Sequence, residues 1–254
     1  MRIALWDIET AKMQVSFDTY SRKLYSPYLP SDAIKRHIWL PCASWKMLGN
    51  DRVYSACVLD DKKRFKKQYF DDYVVIKALF DLMHEVDIIV AHNGDNFDWK
   101  MFTARCVFHG LPPPPRPQMV DTLKVARSCF KFEANDLRYL ARFLKLESKG
   151  QSPDWDLIAI GDEDEIKRCL KYNRQDVKAL EPVYLKLRPW MKNHPNVNAH
   201  HNLTVDVCPT CASPELQHRG FTYSRSGKKQ RIQCSECGAW CTGSKTIGKT
   251  ARVK

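Results

Sequence analysis

Met1-Arg2-Ile3-Ala4-Leu5-Trp6-Asp7-Ile8-Glu9-Thr10 is the stretch on which the fold turns. An apolar run that ends in acids suits a buried strand reaching the edge of a sheet. Side chains two apart on a strand share a face, so Asp7 and Glu9 point one way and Ile8 the other. Standing alone, such an Asp-x-Glu is an ordinary strand entering a polar turn.

Two further stretches change its weight. Val86-Asp87-Ile88-Ile89-Val90-Ala91 is short and β-branched, which predicts another core strand. His92 to Asn96 supply turn chemistry. Phe97, Met101 and Phe102 then fall at helical spacing, which puts Asp98 in a first helical turn beside the sheet edge. A carboxylate there also meets the helix macrodipole favourably, whatever else it does. A long helix is expected from about Glu163 to Leu187, with Ile166, Leu170, Val177, Leu180, Val183 and Leu187 as its buried stripe. Tyr172 and Asp176, four apart, occupy one of its faces. Each acid has a bland reading by itself. Four carboxylates in three motifs, each on a fitting element, gather like charges that repel unless divalent cations hold them.

The order Asp7-x-Glu9, then Asn93-x-x-x-Phe97-Asp98, then Tyr172-x-x-x-Asp176 resembles the DEDD superfamily of 3′–5′ exonucleases. The tyrosine of the third motif resembles the DEDDy branch, which includes DNA polymerase proofreading domains. The resemblance covers roughly residues 1–190. It implies an α/β, ribonuclease H-like fold: a mixed five-stranded sheet with flanking helices. It implies two Mg²⁺ or Mn²⁺ ions and in-line hydrolysis of DNA, preferably at single-stranded 3′ ends, to 5′-mononucleotides. Asp7, Glu9 and Asp176 would hold one ion, with Asp7 bridging to the second and Asp98 supporting that second ion through water. Tyr172 would orient the attacking water, and Thr10 and Asn93 are candidates for holding the terminal nucleotide. An RNA 3′-end trimming enzyme of the same chemistry is an alternative. So is a non-catalytic nucleic-acid adaptor on a retired nuclease fold, against which the complete acid set argues.

The middle of the chain reads as α/β. Leu40 to Leu48 and Arg52 to Val58 form a hairpin turned by Gly49-Asn50-Asp51, and a helix follows from about Tyr73 to His84. Prolines 112 to 115 and Pro117 make a stiff loop after a Phe97–His109 helix, and Asp121 caps the next helix rather than binding metal. Asn135 to Leu146 is amphipathic. The segment Ser16 to His37 carries Arg22, Lys23, Lys35 and Arg36 among Tyr20, Tyr25 and Tyr28 and reads as a surface loop, and the Asp60–Lys67 charge run reads as a solvated turn.

Composition shifts after Pro189 into an Asn/His/Pro-rich linker, giving a nuclease domain over 1–190, a linker over 191–205 and a small domain over 206–254. Cys208-Pro209-Thr210-Cys211 and Cys234-Ser235-Glu236-Cys237, with 22 residues between the pairs, can present four thiolates to one structural Zn²⁺. Cys241 is a spare that could replace Cys237. Between the pairs lies a β-hairpin with the basic tip Arg225-Ser226-Gly227-Lys228-Lys229, so the segment resembles a zinc ribbon. Cys42, Cys57, Cys106, Cys129 and Cys169 read as small buried apolar residues.

The formal net charge is +12, of which residues 192–254 carry +7. Such a balance suits a polyanionic partner, DNA on this reading, with a polymerase or other replication protein as a further partner. Lys245, Lys249, Arg252 and Lys254 are expected to form a flexible basic end. No apolar run approaches a membrane span, the chain opens in a strand rather than a signal peptide, and the cysteines suit a reducing compartment. The expected location is cytoplasmic, in a bacterial or viral replication context, nucleoid-associated at most. With 254 residues there is no room for a polymerase domain, so any proofreading would act in trans.

Overall fold

The computed structural model describes residues 1–16, 29–146, 151–200 and 206–248. The apolar opening stretch forms β1 (Ile3–Ile8). Its alternation is resolved by two cores. Ala4, Trp6 and Ile8 enter one, while Ile3 and Leu5 enter the other, so Asp7 and Glu9 continue the row of Ile3 and Leu5.

Beyond β1 come β2 (Gln14–Val15) and β3 (Ile34–Arg36), which pair with each other, so the ends of the expected loop are a small ladder. Arg22, Lys23, Tyr20, Tyr25 and Tyr28 lie outside the described residues. The hairpin is β4 (Cys42–Met47) and β5 (Val53–Cys57), with Gly49 at φ +78° in its turn. The Asp60–Lys67 run is not a plain turn. Asp61 accepts from the Lys63 and Arg64 amides and caps a short exposed helix, α1 (Lys62–Lys67). Then follow α2 (Tyr73–Glu85), β6 (Ile88–Ala91), α3 (Asp98–Phe108), β7 (Gln118–Asp121), α4 (Thr122–Cys129), α5 (Leu137–Phe143), α6 (Trp155–Ala159) and α7 (Glu163–Leu187).

The main sheet has five strands in the order β5-β4-β1-β6-β7. Strand β1 is antiparallel to β4 and parallel to β6, and β6 is parallel to β7. The fifth strand, β7, grows out of the proline loop, where sequence periodicity shows only an extended connection. Helices α2 and α3 cover one face and α4, α5 and α7 the other. Helix α7 matches its expected span, but Leu170 is only partly buried and Cys169 takes the core position. Helix α5 is shorter than expected, because Asp136 caps it and Lys145, at φ +56°, lies just past its end.

Two ion pairs tie elements together beneath the surface. Asp72, fully buried, accepts two bonds from Arg105 at 2.7 and 2.8 Å, one from the Leu40 amide at 2.9 Å, and pairs with His109 at 2.6 Å. Lys46 of β4 pairs with Glu181 of α7. Such charges resist removal, because deleting one partner strands the other in a poor solvent.

Among the described residues the C-terminal segment is a three-stranded sheet rather than a hairpin. It comprises β8 (Leu216–Ser224), β9 (Gly227–Cys234) and β10 (Trp240–Ile247), ordered β10-β9-β8. Lys245 belongs to β10, while Lys249, Arg252 and Lys254 lie outside the described residues. The described part of the expected linker is packed. Val197 is buried in the main core, its amide donates to Pro209 at 2.8 Å, and Ala212 packs on that core. No described helix is long and apolar enough to cross a membrane.

Candidate active site and metal centre

Strand β1 delivers Asp7 and Glu9 at its C-terminal end, and α7 lies across them. Three contacts fix that helix: Cys169 against Cys42 at 3.7 Å, Asn173 against Asp7, and Glu181 against Lys46. Because positions 169 to 181 climb alongside positions 42 to 46, α7 runs with β4 and against β1. Asp176, four residues past Tyr172, therefore arrives beside the strand acids. Oxygen atoms of Asp7, Glu9 and Asp176 all lie within 4.8 Å of one another, and Asp176 is buried. Three carboxylates at that separation repel in water and more strongly where water is thin. An all-oxygen, triply acidic donor set fits a hard divalent cation such as Mg²⁺ or Mn²⁺.

Asp98 stands outside that trio. It is buried at the start of α3, and its Oδ1 accepts the Ile8 amide at 3.3 Å, so it is pinned to the residue between Asp7 and Glu9. Burial pushes its carboxyl up to about 7, with Asp121 adding to the rise and the amides of Asp98 and Ile8 opposing it. Asp121 is a cap, as the sequence indicates, and it does more. Besides the Leu123 and Lys124 amides it accepts those of Asn93 at 3.0 Å and Asp95 at 3.4 Å. One carboxylate thereby orders the turn that leads into Asp98. Asn93 sits in that turn at φ +74°, a backbone state asparagine tolerates, so its first duty is the turn itself. Gly94 meets the sheet so closely that a Cβ would fall 2.3 Å from the Ala91 Cβ. Gly94→Ala is expected to cost about 1–3 kcal/mol through overpacking and to lower Tm by several degrees. An unchanged melting curve would show that the turn shifts freely.

Tyr172 lies one turn before Asp176, lining a cleft of about 190 Å³ with Gln151, Arg168, Lys171 and Gln175. Thr10 is half-buried at the end of the Asp-x-Glu motif. Asn173 escaped the sequence reading. It is fully buried, its Nδ2 donates to Asp7 Oδ2 at 2.8 Å, and its Oδ1 has no hydrogen-bond partner in the protein. The only sequence signal was an amide three residues before the helix acid, on a face that also carries Cys169.

A second cluster gathers Cys208, Cys211, Cys234 and Cys237, with Sγ···Sγ contacts of 3.7 Å for 208–237 and 211–234. A tetrahedron of ~2.3 Å Zn–S bonds has S···S edges of about 3.8 Å, so the four thiols fit zinc. Cys241 lies on β10 opposite Ile232, outside this group, and Cys237 completes it.

A sequence profile of the RNase H superfamily matches residues 48–188, more than half of the chain. The chain belongs to the RNase H superfamily. The matched stretch contains Asp98, Tyr172 and Asp176, whereas Asp7 and Glu9 precede it and the ribbon follows it. Among curated proteins the chain is similar to "DNA polymerase III PolC-type" of Ureaplasma parvum serovar 3, at 29% identity over 119 residues. That stretch is 46% of this chain and 8% of the relative. Among solved structures it resembles the family B DNA polymerase of the archaeon Pyrobaculum calidifontis, with a TM-score of 0.55 and 17% identity, covering 74% of this chain and 24% of that one. The second likeness is one of fold. The chain thus spans a small part of each relative, 8% of the first and 24% of the second.

Proposed function

We propose that the protein is a divalent-metal-dependent 3′–5′ exonuclease that shortens single-stranded DNA ends to 5′-mononucleotides. The observation that carries the reading is the convergence of Asp7, Glu9 and Asp176 within 4.8 Å on a superfamily fold whose members cleave phosphodiesters. When bound, a pair of hard divalent cations supplies a nucleophile at neutral pH and stabilises the leaving 3′ oxygen. Asp7, Glu9 and Asp176 would hold such a cation. Asn173 keeps Asp7 in one rotamer through its 2.8 Å bond. Asp98, pinned at the Ile8 amide, would support a second cation. Tyr172 positions the attacking water, and Thr10 and Asn93 flank the terminal nucleotide.

The ribbon supplies affinity for the strand. Its hairpin tip carries Arg225, Lys228 and Lys229, and aromatic rings lie under the cations: Lys228 over Phe221 at 4.5 Å and Arg231 over Trp240 at 5.0 Å. The likeness to a PolC-type DNA polymerase supports a polymerase as the partner.

The test is digestion of 5′-labelled single-stranded DNA, with matched RNA alongside, in Mg²⁺ and in EDTA. A ladder that shortens one nucleotide at a time, only with metal and faster on DNA, is expected. Immediate release of the 5′ label, or shortening in EDTA, would sink the proposal, and a preference for RNA would move it to RNA trimming. Tyr172→Phe should lower turnover by about 5- to 150-fold, since one positioned hydrogen bond is worth ~1–3 kcal/mol. Full activity in that variant across pH would remove the phenol from the chemistry.

A further inference from the structure

A row of aromatic rings that the chemistry does not use runs from the turn after α7, past the end of α4, to α5. Trp190, Phe130, Phe132 and Phe143 follow one another with ring centroids 5.8, 5.0 and 5.1 Å apart, and Tyr139 stacks 6.0 Å beyond Phe143. Trp190 and Phe143 are open to solvent, at 64% and 52% exposed, whereas Phe130, Phe132 and Tyr139 are partly buried and also pack on the core. Contiguous apolar surface of this kind marks a recognition site.

The surroundings indicate what covers it. Residues 124–146 carry six lysines and arginines, all exposed, against two acids. Both acids are engaged within the segment. Glu133 accepts from the Tyr139 hydroxyl, and Asp136 accepts the Tyr139 amide as the cap of α5. Lys124 pairs with Asp95 at 2.6 Å, while Lys131 falls between two of the rings in sequence and Arg142 lies over Tyr139 at 5.6 Å. The centre of a protein–protein interface is poor in lysine. Rings interleaved with cations suit bases and phosphates instead. The position agrees. Trp190 directly follows α7, and its carbonyl accepts the Cys129 thiol at the end of α4. A Cβ on Gly238 of the ribbon would lie 3.9 Å from the neighbouring Pro189. The row therefore begins where the ribbon joins the nuclease fold.

We propose that this row is a stacking platform for single-stranded nucleic acid. It rests on the nuclease reading above and adds a subsite to it. Stacking tolerates every base, so the platform lends affinity without sequence preference.

The test is binding of fluorescent oligothymidylates, four and twelve nucleotides long, to the full chain in EDTA, over a range of salt. In the wild type, affinity should rise with length. In the double variant Trp190→Ala, Phe143→Ala the twelve-mer should bind about tenfold or more weakly. The log–log salt slope should hold, because no charge has been removed. The pair Trp190→Phe, Phe143→Tyr should restore binding, which separates loss of stacking from loss of fold. A twelve-mer Kd unchanged in the alanine variant would overturn the proposal and leave the row to a protein partner. Mg²⁺-dependent cleavage by the wild type tests the nuclease reading separately, so a binding result of that kind in a cleaving protein counts against the platform alone.

Discussion

Replacing Asp7 or Asp176 by alanine is expected to cut turnover at least ~10³-fold, since a bound cation contributes several kcal/mol to the transition state and each ~1.4 kcal/mol is a factor of ten. Both side chains belong to the trio within 4.8 Å, so losing either opens the first cation site. The fold should survive. In EDTA the melting point should hold or rise, because each change relieves carboxylate repulsion in the metal-free protein. Asp98 adds a pH signature of its own. Burial lifts its carboxyl from 3.8 to about 7, so the metal-free fold favours the protonated form and loses stability as pH rises between those values. Added Mg²⁺ should reverse the loss, and Asp98→Asn should flatten it. Wild-type turnover in Asp7→Ala or Asp176→Ala, measured beside the melting curve, would remove that residue from the centre.

What the sequence disclosed, and what it hid, follows from the range of the interactions. Strand β1 and helix α7 were legible because their periods are local: alternation puts Asp7 and Glu9 on one face, and spacing of four puts Tyr172 with Asp176. The four zinc-type cysteines were legible because two CxxC turns encode a site at short range. Strand β7 was not. Its four residues leave a proline loop with no alternation long enough to read, and only pairing with β6 makes them a strand. Asn173 was hidden for a related reason. Its partner Asp7 lies 166 positions away, and an amide within a helix usually faces water. The same holds for Asp72 with Arg105 and His109, and for Lys46 with Glu181, where each charge alone reads as surface. The linker misled by composition. Asn, His and Pro signal a loop, yet Val197 is buried, and His194 donates Nδ1–H to the Pro195 carbonyl and accepts the Tyr184 hydroxyl at Nε2. Burial lowers the His194 pKa, which keeps the ring neutral and the acceptor free for that bond.

That packing sets the outcome of metal removal. Stripping zinc with a strong chelator, or changing Cys208 and Cys234 to serine, is expected to unfold residues 206–248 outright. Structural zinc sites of this type are worth ~10–16 kcal/mol near neutral pH. The core they would otherwise rely on is Cys208, Cys234 and Ala239 with a few partly buried neighbours, far too small to hold three strands alone. The damage should not stop at the ribbon. Val197 and Ala212 seal the core beside Val183, Tyr184 and Leu187, and the Val197 amide is tied to Pro209 within the first CxxC turn. Loss of the ribbon therefore uncovers the C-terminal half of α7, the helix that carries Asp176. The nuclease domain should melt several degrees lower without zinc, and a chain cut after Trp190 should behave likewise. Binding to single strands should weaken as well, with a shallower salt slope as the phosphate contacts of Arg225, Lys228 and Lys229 are lost. Paired measurements decide the matter: zinc released by thiol titration, at about one ion per four-thiol site, and Tm before and after chelation. An unaltered nuclease Tm after complete zinc release would show that the ribbon is a tethered module whose contacts with α7 carry no stability.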